Sequence, residues 1–150
     1  ERVMNISQFD CFLLAGRYSL LEQAPLHGFL PNCIKHGASI ILGGPYNSGI
    51  LATGVKTNKV PYYNYAPAPK DTINRVDKIE NVCQQHNVTL AAAALQFPLA
   101  HPAVASVIPG LSSSARVEKT LHLFNEKIPA AFWQQLQHEK LLDNLAPLPI

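Results

Sequence analysis

The sequence predicts an α/β fold built on a short parallel sheet, and three observations carry that expectation. Three apolar runs stand out: CFLLAG at 11–16, ASIILGG at 38–44 and AVASVIPG at 103–110. None alternates apolar with polar residues, which is the pattern of a strand covered on both faces, as in a parallel sheet. Helical patterns fill the intervals, and the first two runs start about 28 residues apart, a spacing that suits one βαβ crossover.

The elements follow in order. Residues 25–36 open with a proline suited to a first turn, and Gly37 follows as a stop. From Asp71, a cap residue, Ile73, Val76, Ile79, Val82 and Cys83 fall along one helix face. Residues 90–99 are nearly all apolar up to Pro98 and predict a deeply buried helix, with two more helices over 116–124 and 129–142. The stretch ILATGVKTNKVPYYNYAPAPK, 50–70, has three tyrosines and three prolines without a period. It reads as a structureless insertion, either a functional lid or a flexible loop. Three parallel strands leave N–H and C=O groups unpaired at both sheet edges, so either another chain supplies strands or this is a portion of a larger closed sheet.

Composition narrows the class. At 150 residues the chain suits one domain with a real core, and 47% apolar against 15% charged residues marks it as globular. A net charge of +2 without a basic run sets nucleic acid aside. No apolar run approaches the roughly 18 residues of a membrane helix, and ERVMNISQFD lacks the features of a signal peptide. Cys11, Cys33 and Cys83 are odd in number and sit in apolar or helical patterns, which reads as buried free thiols in a reducing, cytoplasmic compartment. The six histidines are scattered, without metal spacing, and read as surface or cap residues. No self-contained catalytic constellation is present.

Three stretches carry chemistry. In SVIPGLSSSARVEKT, 106–120, a strand hands over to a helix through Pro109 and Gly110. The helix start carries roughly half a positive elementary charge, Ser112, Ser113 and Ser114 add hydroxyls, and Arg116 adds a fork suited to phosphate oxygens. The pattern fits a phosphate site at the C-terminal end of a parallel strand, or an ordinary serine-capped surface helix. GGPYNSGILATG, 43–54, places glycine turns beside Tyr46, Asn47 and Ser48 at the same end of the sheet; it is neither a Walker loop nor GxGxxG. AGRYSLLEQ, 15–23, brings Arg17 and Tyr18 off the first strand, where Arg17 either binds a carboxylate or sugar hydroxyl or pairs with an acidic neighbour.

These stretches, with FDCFLLAGRYSLLEQ, YNYAPAP and LAAAALQFPLAHPAVASVIPG, resemble the C-terminal part of an aldo-keto reductase. The resemblance covers nearly the whole chain. It lies nearest the D-threo-aldose 1-dehydrogenase branch, which includes L-fucose and D-galactose dehydrogenases, with pyridoxal 4-dehydrogenase nearby. It implies strands six to eight, with their helices, of an (α/β)8 TIM barrel of roughly twice this length, incomplete here as a closed barrel. Residues 1–8 would be the tail of the fifth helix.

The implied chemistry is hydride transfer between NADP or NAD and a carbonyl or hemiacetal carbon. The family's proton-handling tyrosine, aspartate, lysine and histidine come from the first half of the barrel and match no position here, so the chain alone is expected to be inactive. What carries over is the cofactor floor. Gly44, Pro45, Tyr46, Asn47, Ser48 and Gly49 match the loop that meets the pyrophosphate. Ile108, Pro109, Gly110, Ser112 and Arg116 match the loop and helix that hold the adenosine ribose and its phosphate, with Thr120 one helical turn on, where an asparagine is common. Ala15 and Gly43 stand where many members have a nicotinamide-contacting glutamine and a stacking aromatic. Arg17 and Tyr18 fall on the substrate side. The implied partners are the cofactor and, in the full barrel, a small sugar or aldehyde. If 150 residues is a stable unit, a second copy or a complementary N-terminal half would join them.

Overall fold

A computed structural model of the chain describes residues 2–150. The three apolar runs form β1 (Cys11–Ala15), β2 (Ser39–Gly43) and β5 (Val104–Ile108), all parallel, in the order β1-β2-β5. Leu13 pairs with Ile41 across the first ladder. The second ladder slips between Ile40 and Ile41, so that Ile40 faces Val104 while Ile41 faces Ser106. Ala105 is the extra residue of this bulge.

Between β1 and β2 the expected single helix is split: a 3-10 turn, Ala24–His27, precedes α1 (Phe29–Lys35), and Gly37 at φ +67° ends the segment. α3 (Lys70–His86) starts after Pro69 with no side-chain cap, so Asp71 lies inside its first turn instead of capping it. Val76, Ile79, Val82 and Cys83 make its buried face, while Ile73 is half-buried. Asn87, left-handed at φ +53°, ends the helix, as asparagine can at little cost. The apolar run at 90–99 is also divided, into α4 (Leu90–Gln96) and a 3-10 turn Phe97–Ala100, because Pro98 has no N–H to continue the ladder. α5 (Ser114–Asn125) and α6 (Ala130–His138) complete the chain. At the N-terminus the described part of the expected helix tail is a 3-10 turn, Arg2–Asn5; residue 1 lies outside the described residues.

The segment at 50–70 is structured, contrary to the expectation of a structureless insertion. It holds the short α2 (Ile50–Thr53) and a hairpin of β3 (Tyr62–Tyr63) and β4 (Ala66–Pro67). Asn64 and Tyr65 form the hairpin's turn, both at positive φ. The hairpin is pinned at two points: the Tyr63 hydroxyl donates to Glu22 Oε1, and the Tyr65 N–H donates to Ser48 Oγ at 3.1 Å.

The core lies between the sheet and its helices. Phe97, Phe132 and Trp133 are fully buried, with the Phe132 and Trp133 rings 4.9 Å apart, and Ile40, Leu42 and Val104 of the sheet belong to the same buried cluster. Only this face is covered. On the other, Leu13 is 69% and Ile108 52% exposed, and Cys11, Ala15 and Ser106 are also open. Coverage of both faces, expected from the non-alternating runs, is therefore corrected: all the helices between the strands pack on one side. Cys11 is exposed for the same reason, whereas Cys33 and Cys83 are buried as expected. Among the described residues no helix is long and apolar enough to cross a membrane.

Candidate functional site

The parallel strands end together, and the loops after β1, β2 and β5 emerge at one end of the sheet. The first two are tied tightly. Gly16 N–H donates to Gly43 O at 2.7 Å, and the chain then turns through Gly44 at φ +64°, a left-handed conformation that costs a Cβ-bearing residue about 1–2 kcal/mol. Asn47, Ser48 and Gly49 are left-handed in succession, and Tyr46 O accepts from the N–H groups of Gly49 and Leu51. The Asn47 side chain is buried under this loop: its Nδ2 donates to Gly16 O at 3.1 Å, and its Oδ1 accepts from the Ser19 hydroxyl. Asn47 thus joins the loops after β1 and β2, and both ends of its amide are already used.

The loop after β5 reaches α5, where Ser113 is the cap and its Oγ accepts the Arg116 N–H at 3.3 Å. Between the β2 loop, α2, the hairpin tip and α5 lies a cavity of about 570 Å³, within the roughly 300–1,000 Å³ of ligand pockets. Gly44, Pro45, Tyr46, Asn47, Ser48 and Gly49 line one side, and Gly110, Arg116 and Thr120 the other. Burial pushes the Tyr46 phenol above its ordinary pKa, so it stays protonated, a donor or acceptor at the wall. No side-chain hydrogen bond or ion pair among the described residues occupies the Arg116 guanidinium.

Over residues 1–139 the sequence matches the Aldo/keto reductase family. The chain belongs to that family.

Among its relatives, this aldo/keto reductase chain is 40% identical over 136 residues to a pyridoxal 4-dehydrogenase from Microbacterium luteolum, covering 91% of the chain and 39% of the relative. It is 33% identical over 141 residues to a D-threo-aldose 1-dehydrogenase from a Pseudomonas species, covering 94% of the chain and 43% of the relative. In fold it is similar to an aldo-keto reductase from Bacillus halodurans in its apo form, with a TM-score of 0.70 at 24% identity over 95% of this chain and 46% of that one. The chain thus spans less than half the length of these relatives. What it has of the family's α/β fold is an open parallel sheet, not a closed barrel. Family membership implies a nicotinamide cofactor.

Not every expected site residue of the reductase chain reaches the cavity. Ile108, Pro109 and Ser112 are outside its lining. Arg17 and Tyr18 also lie outside it. Arg17 pairs with Glu22 at 3.5 Å, the structural alternative left open by the sequence. Tyr18 is fully buried, its ring centroid 5.3 Å from Phe97 and 5.5 Å from His101. Burial, then the charge of Asp143, pushes its phenol pKa far up, and its hydroxyl has no protein partner among the described residues. Tyr18 is a core residue in this structure. His101 is likewise buried, against the expectation of a surface histidine, with its Nδ1 accepting the Ala103 N–H at 3.2 Å.

Several lining residues were not singled out in the sequence. Leu123 sits seven residues after Arg116, a spacing that puts it on the same helix face and was legible. Tyr65 and Ala91 arrive from elements remote in sequence, and no local pattern marks them.

Proposed function

We propose that the chain forms the cofactor floor of an NAD(P)-dependent dehydrogenase that oxidises aldoses such as L-fucose or D-galactose at C1, with β1, β2 and β5 as strands six, seven and eight of the barrel. The observation that carries this reading is the cavity at the strand ends, where a glycine-turned loop faces an uncommitted arginine at a helix start. The relatives named as dehydrogenases for D-threo-aldoses and pyridoxal support the reaction class.

The donor set fits the group. The loop at 44–49 offers backbone and a protonated Tyr46 to a pyrophosphate, while Gly110, Arg116 and Thr120 offer close backbone approach, a cation and a hydroxyl to a phosphorylated ribose. When bound, a nicotinamide cofactor supplies hydride exchange with the carbonyl or hemiacetal carbon. This chain's part is to bind and orient it: Asn47 fixes the loop from beneath, and Tyr65 closes the rim through its hydrogen bond to Ser48. Arg17 and Tyr18 act as support at the substrate end, not as wall.

The test pairs two proteins. The product of the complete reading frame should bind NADPH or NADH, seen as a fluorescence change, and should oxidise aldoses. The 150 residues alone should show no turnover. Turnover by the 150 residues would overturn this division of labour, and a complete product that binds neither dinucleotide would overturn the cofactor reading.

A second reading rests on the open sheet face, where Leu13 and Ile108 are exposed beside two unpaired strand edges. In that reading the chain is a non-catalytic half-barrel that pairs its edges with a second copy or a complementary half. Light scattering after size exclusion decides it, because a well-behaved 16.4 kDa monomer is incompatible with edge pairing.

A further inference from the structure

Three buried polar side chains, Ser19, Gln23 and Asn47, form one connected network between the C-terminal tail and the loop after β2. Gln23 Oε1 accepts the Asp143 N–H at 2.6 Å, which leaves its Nε2 to donate to Leu20 O at 2.9 Å and Ser19 O at 3.3 Å. Ser19 Oγ accepts the N–H groups of Leu21 and Glu22, both at 3.2 Å, so its one hydrogen goes to Asn47 Oδ1. Each group is thereby oriented by its neighbour, and the Asn47 Nδ2 is turned toward Gly16 O.

Packing alone does not account for a glutamine at this position. A buried amide costs free energy unless it is bonded, and an apolar residue of the same length fills the volume without that cost. What the bonded amide adds is a fixed geometry. The N–H that its oxygen accepts comes from Asp143, beyond the residues 1–139 that match the family, and that donor is itself fastened. Asp143 Oδ1 accepts the Leu145 N–H at 2.9 Å, Oδ2 meets His27 Nε2 at 2.7 Å, and Arg75 of α3 donates to Leu141 O at 2.8 Å. At the other end of the network Asn47, Ser48 and Gly49 are left-handed in succession, and for asparagine and serine such a backbone persists only where its surroundings hold it. Tyr46, Asn47, Ser48 and Gly49 all line the cavity, so a loop that relaxes there changes the wall a ligand meets.

We propose that Gln23 is a positioning residue for the cofactor loop, acting through Ser19 and Asn47 with the tail at 141–145 as its fixed support. Gln23 lies outside the cavity lining, so its effect on binding passes through Asn47. The inference rests on the cofactor reading above and adds to it a residue, and a segment of chain, that the reading leaves unused.

The experiment titrates NADPH and NADH into the product of the complete reading frame by fluorescence, as wild type, Gln23→Met, Gln23→Glu and Ile79→Val. Methionine keeps the length and volume of the side chain and removes its hydrogen bonds. Gln23→Met should weaken the dinucleotide that the wild type binds about three- to tenfold, the fold-change that one net hydrogen bond carries. Added to Ser19→Ala it should cost less than about twofold more, since the path through that hydroxyl is already cut. Ile79→Val, at a buried position of α3 outside the network, should lower the unfolding midpoint and leave binding unchanged. Gln23→Glu should bind weakly in mild alkali and approach the wild type in mild acid, where a protonated carboxyl again both accepts and donates. Glu22, His27, Arg75, Lys140 and Asp143 line the hollow beside Gln23 and are common to both proteins, so the ratio to wild type isolates the new carboxyl. If Gln23→Met binds as the wild type does, or if it and Ile79→Val weaken binding alike, Gln23 supports the fold only, and the inference is wrong while the cofactor reading stands. If Gln23→Met does not fold, Gln23→Glu decides, and a ratio to wild type that does not change with pH overturns the inference. A wild type that binds neither dinucleotide removes the cofactor reading, and the inference with it.

Discussion

Asn47 offers the sharpest test of how the site is held, because it is 5% exposed and spends both ends of its amide on neighbours. Replacement by alanine removes the donor to Gly16 O at 3.1 Å and the acceptor for the Ser19 hydroxyl. Two intramolecular hydrogen bonds contribute about 1 kcal/mol each, and the Gly16 carbonyl is left short of a partner. Asn47 also sits at φ +44°, where asparagine is tolerated and alanine adds a further cost of about 1 kcal/mol. The Ser19 hydroxyl keeps the N–H groups of Leu21 and Glu22 as donors, so it is only partly stranded. Together these effects amount to about 2–4 kcal/mol.

Trp133, the single tryptophan and fully buried, reports global unfolding in urea. Asn47→Asp separates the terms: it keeps the acceptor for Ser19 and tolerates positive φ, but faces Gly16 O with an oxygen. It should therefore also destabilise. A double-mutant cycle with Ser19→Ala should return a coupling of about 0.5–1.5 kcal/mol. An Asn47→Ala loss below about 1 kcal/mol would refute the claim that this amide locks the two loops together.

Two further outcomes follow from burial. His101 is buried, and its pKa is lowered from its ordinary value of 6.5. Below pH 6.5 the unfolded chain binds a proton that the folded chain resists, so this contribution is full above that pH and declines as pH falls. Urea unfolding of His101→Asn should show a shallower loss of stability from pH 7 to 5 than the wild type, and equal slopes would refute the assignment. For the thiols, Cys11 is exposed while Cys33 and Cys83 are buried, and burial, then Glu80 and Glu126, push Cys83 up to about 12. A maleimide should label Cys11 quickly and the other two only on unfolding; rapid native labelling of all three cysteines would contradict the packing.

The strands were legible because apolar runs of the right length sat between glycines and prolines, and their observed ends fall within two residues of the runs. The cavity was legible in part for a related reason: parallel strands bring their following loops to one end, so GGPYNSG and SSSAR had to be neighbours. The hairpin at 62–67 was not, because its turn is Asn64-Tyr65, without the glycine that marks left-handed turns, and Pro61 and Pro67 argue against strands. Tyr18 misled in the opposite way. As a polar aromatic just after a strand it looked like a site residue, and only the distant Phe97 and His101 determine that it is core.

On the open face of the sheet, sequence and structure give different answers for one physical reason. Cys11, Leu13 and Ala15 of β1, Ile41 of β2 and Ile108 of β5 make up that face together with Ser106. A sheet meant to face water alternates apolar with polar residues, and these strands place leucine and isoleucine where a solvated face would have charges. The helices of the chain cover the opposite face completely enough to bury Ile40 and Leu42, so no segment among the described residues is left to cover this one. A buried leucine is worth about 1.5–3 kcal/mol over an exposed one, and the Leu13 position yields little of that in the fold as it stands. The sequence is therefore written for a cover that these residues do not supply. Both readings proposed above require such a cover. They differ in whether it comes from further strands of one barrel or from another chain, and the oligomeric state at 150 residues separates them.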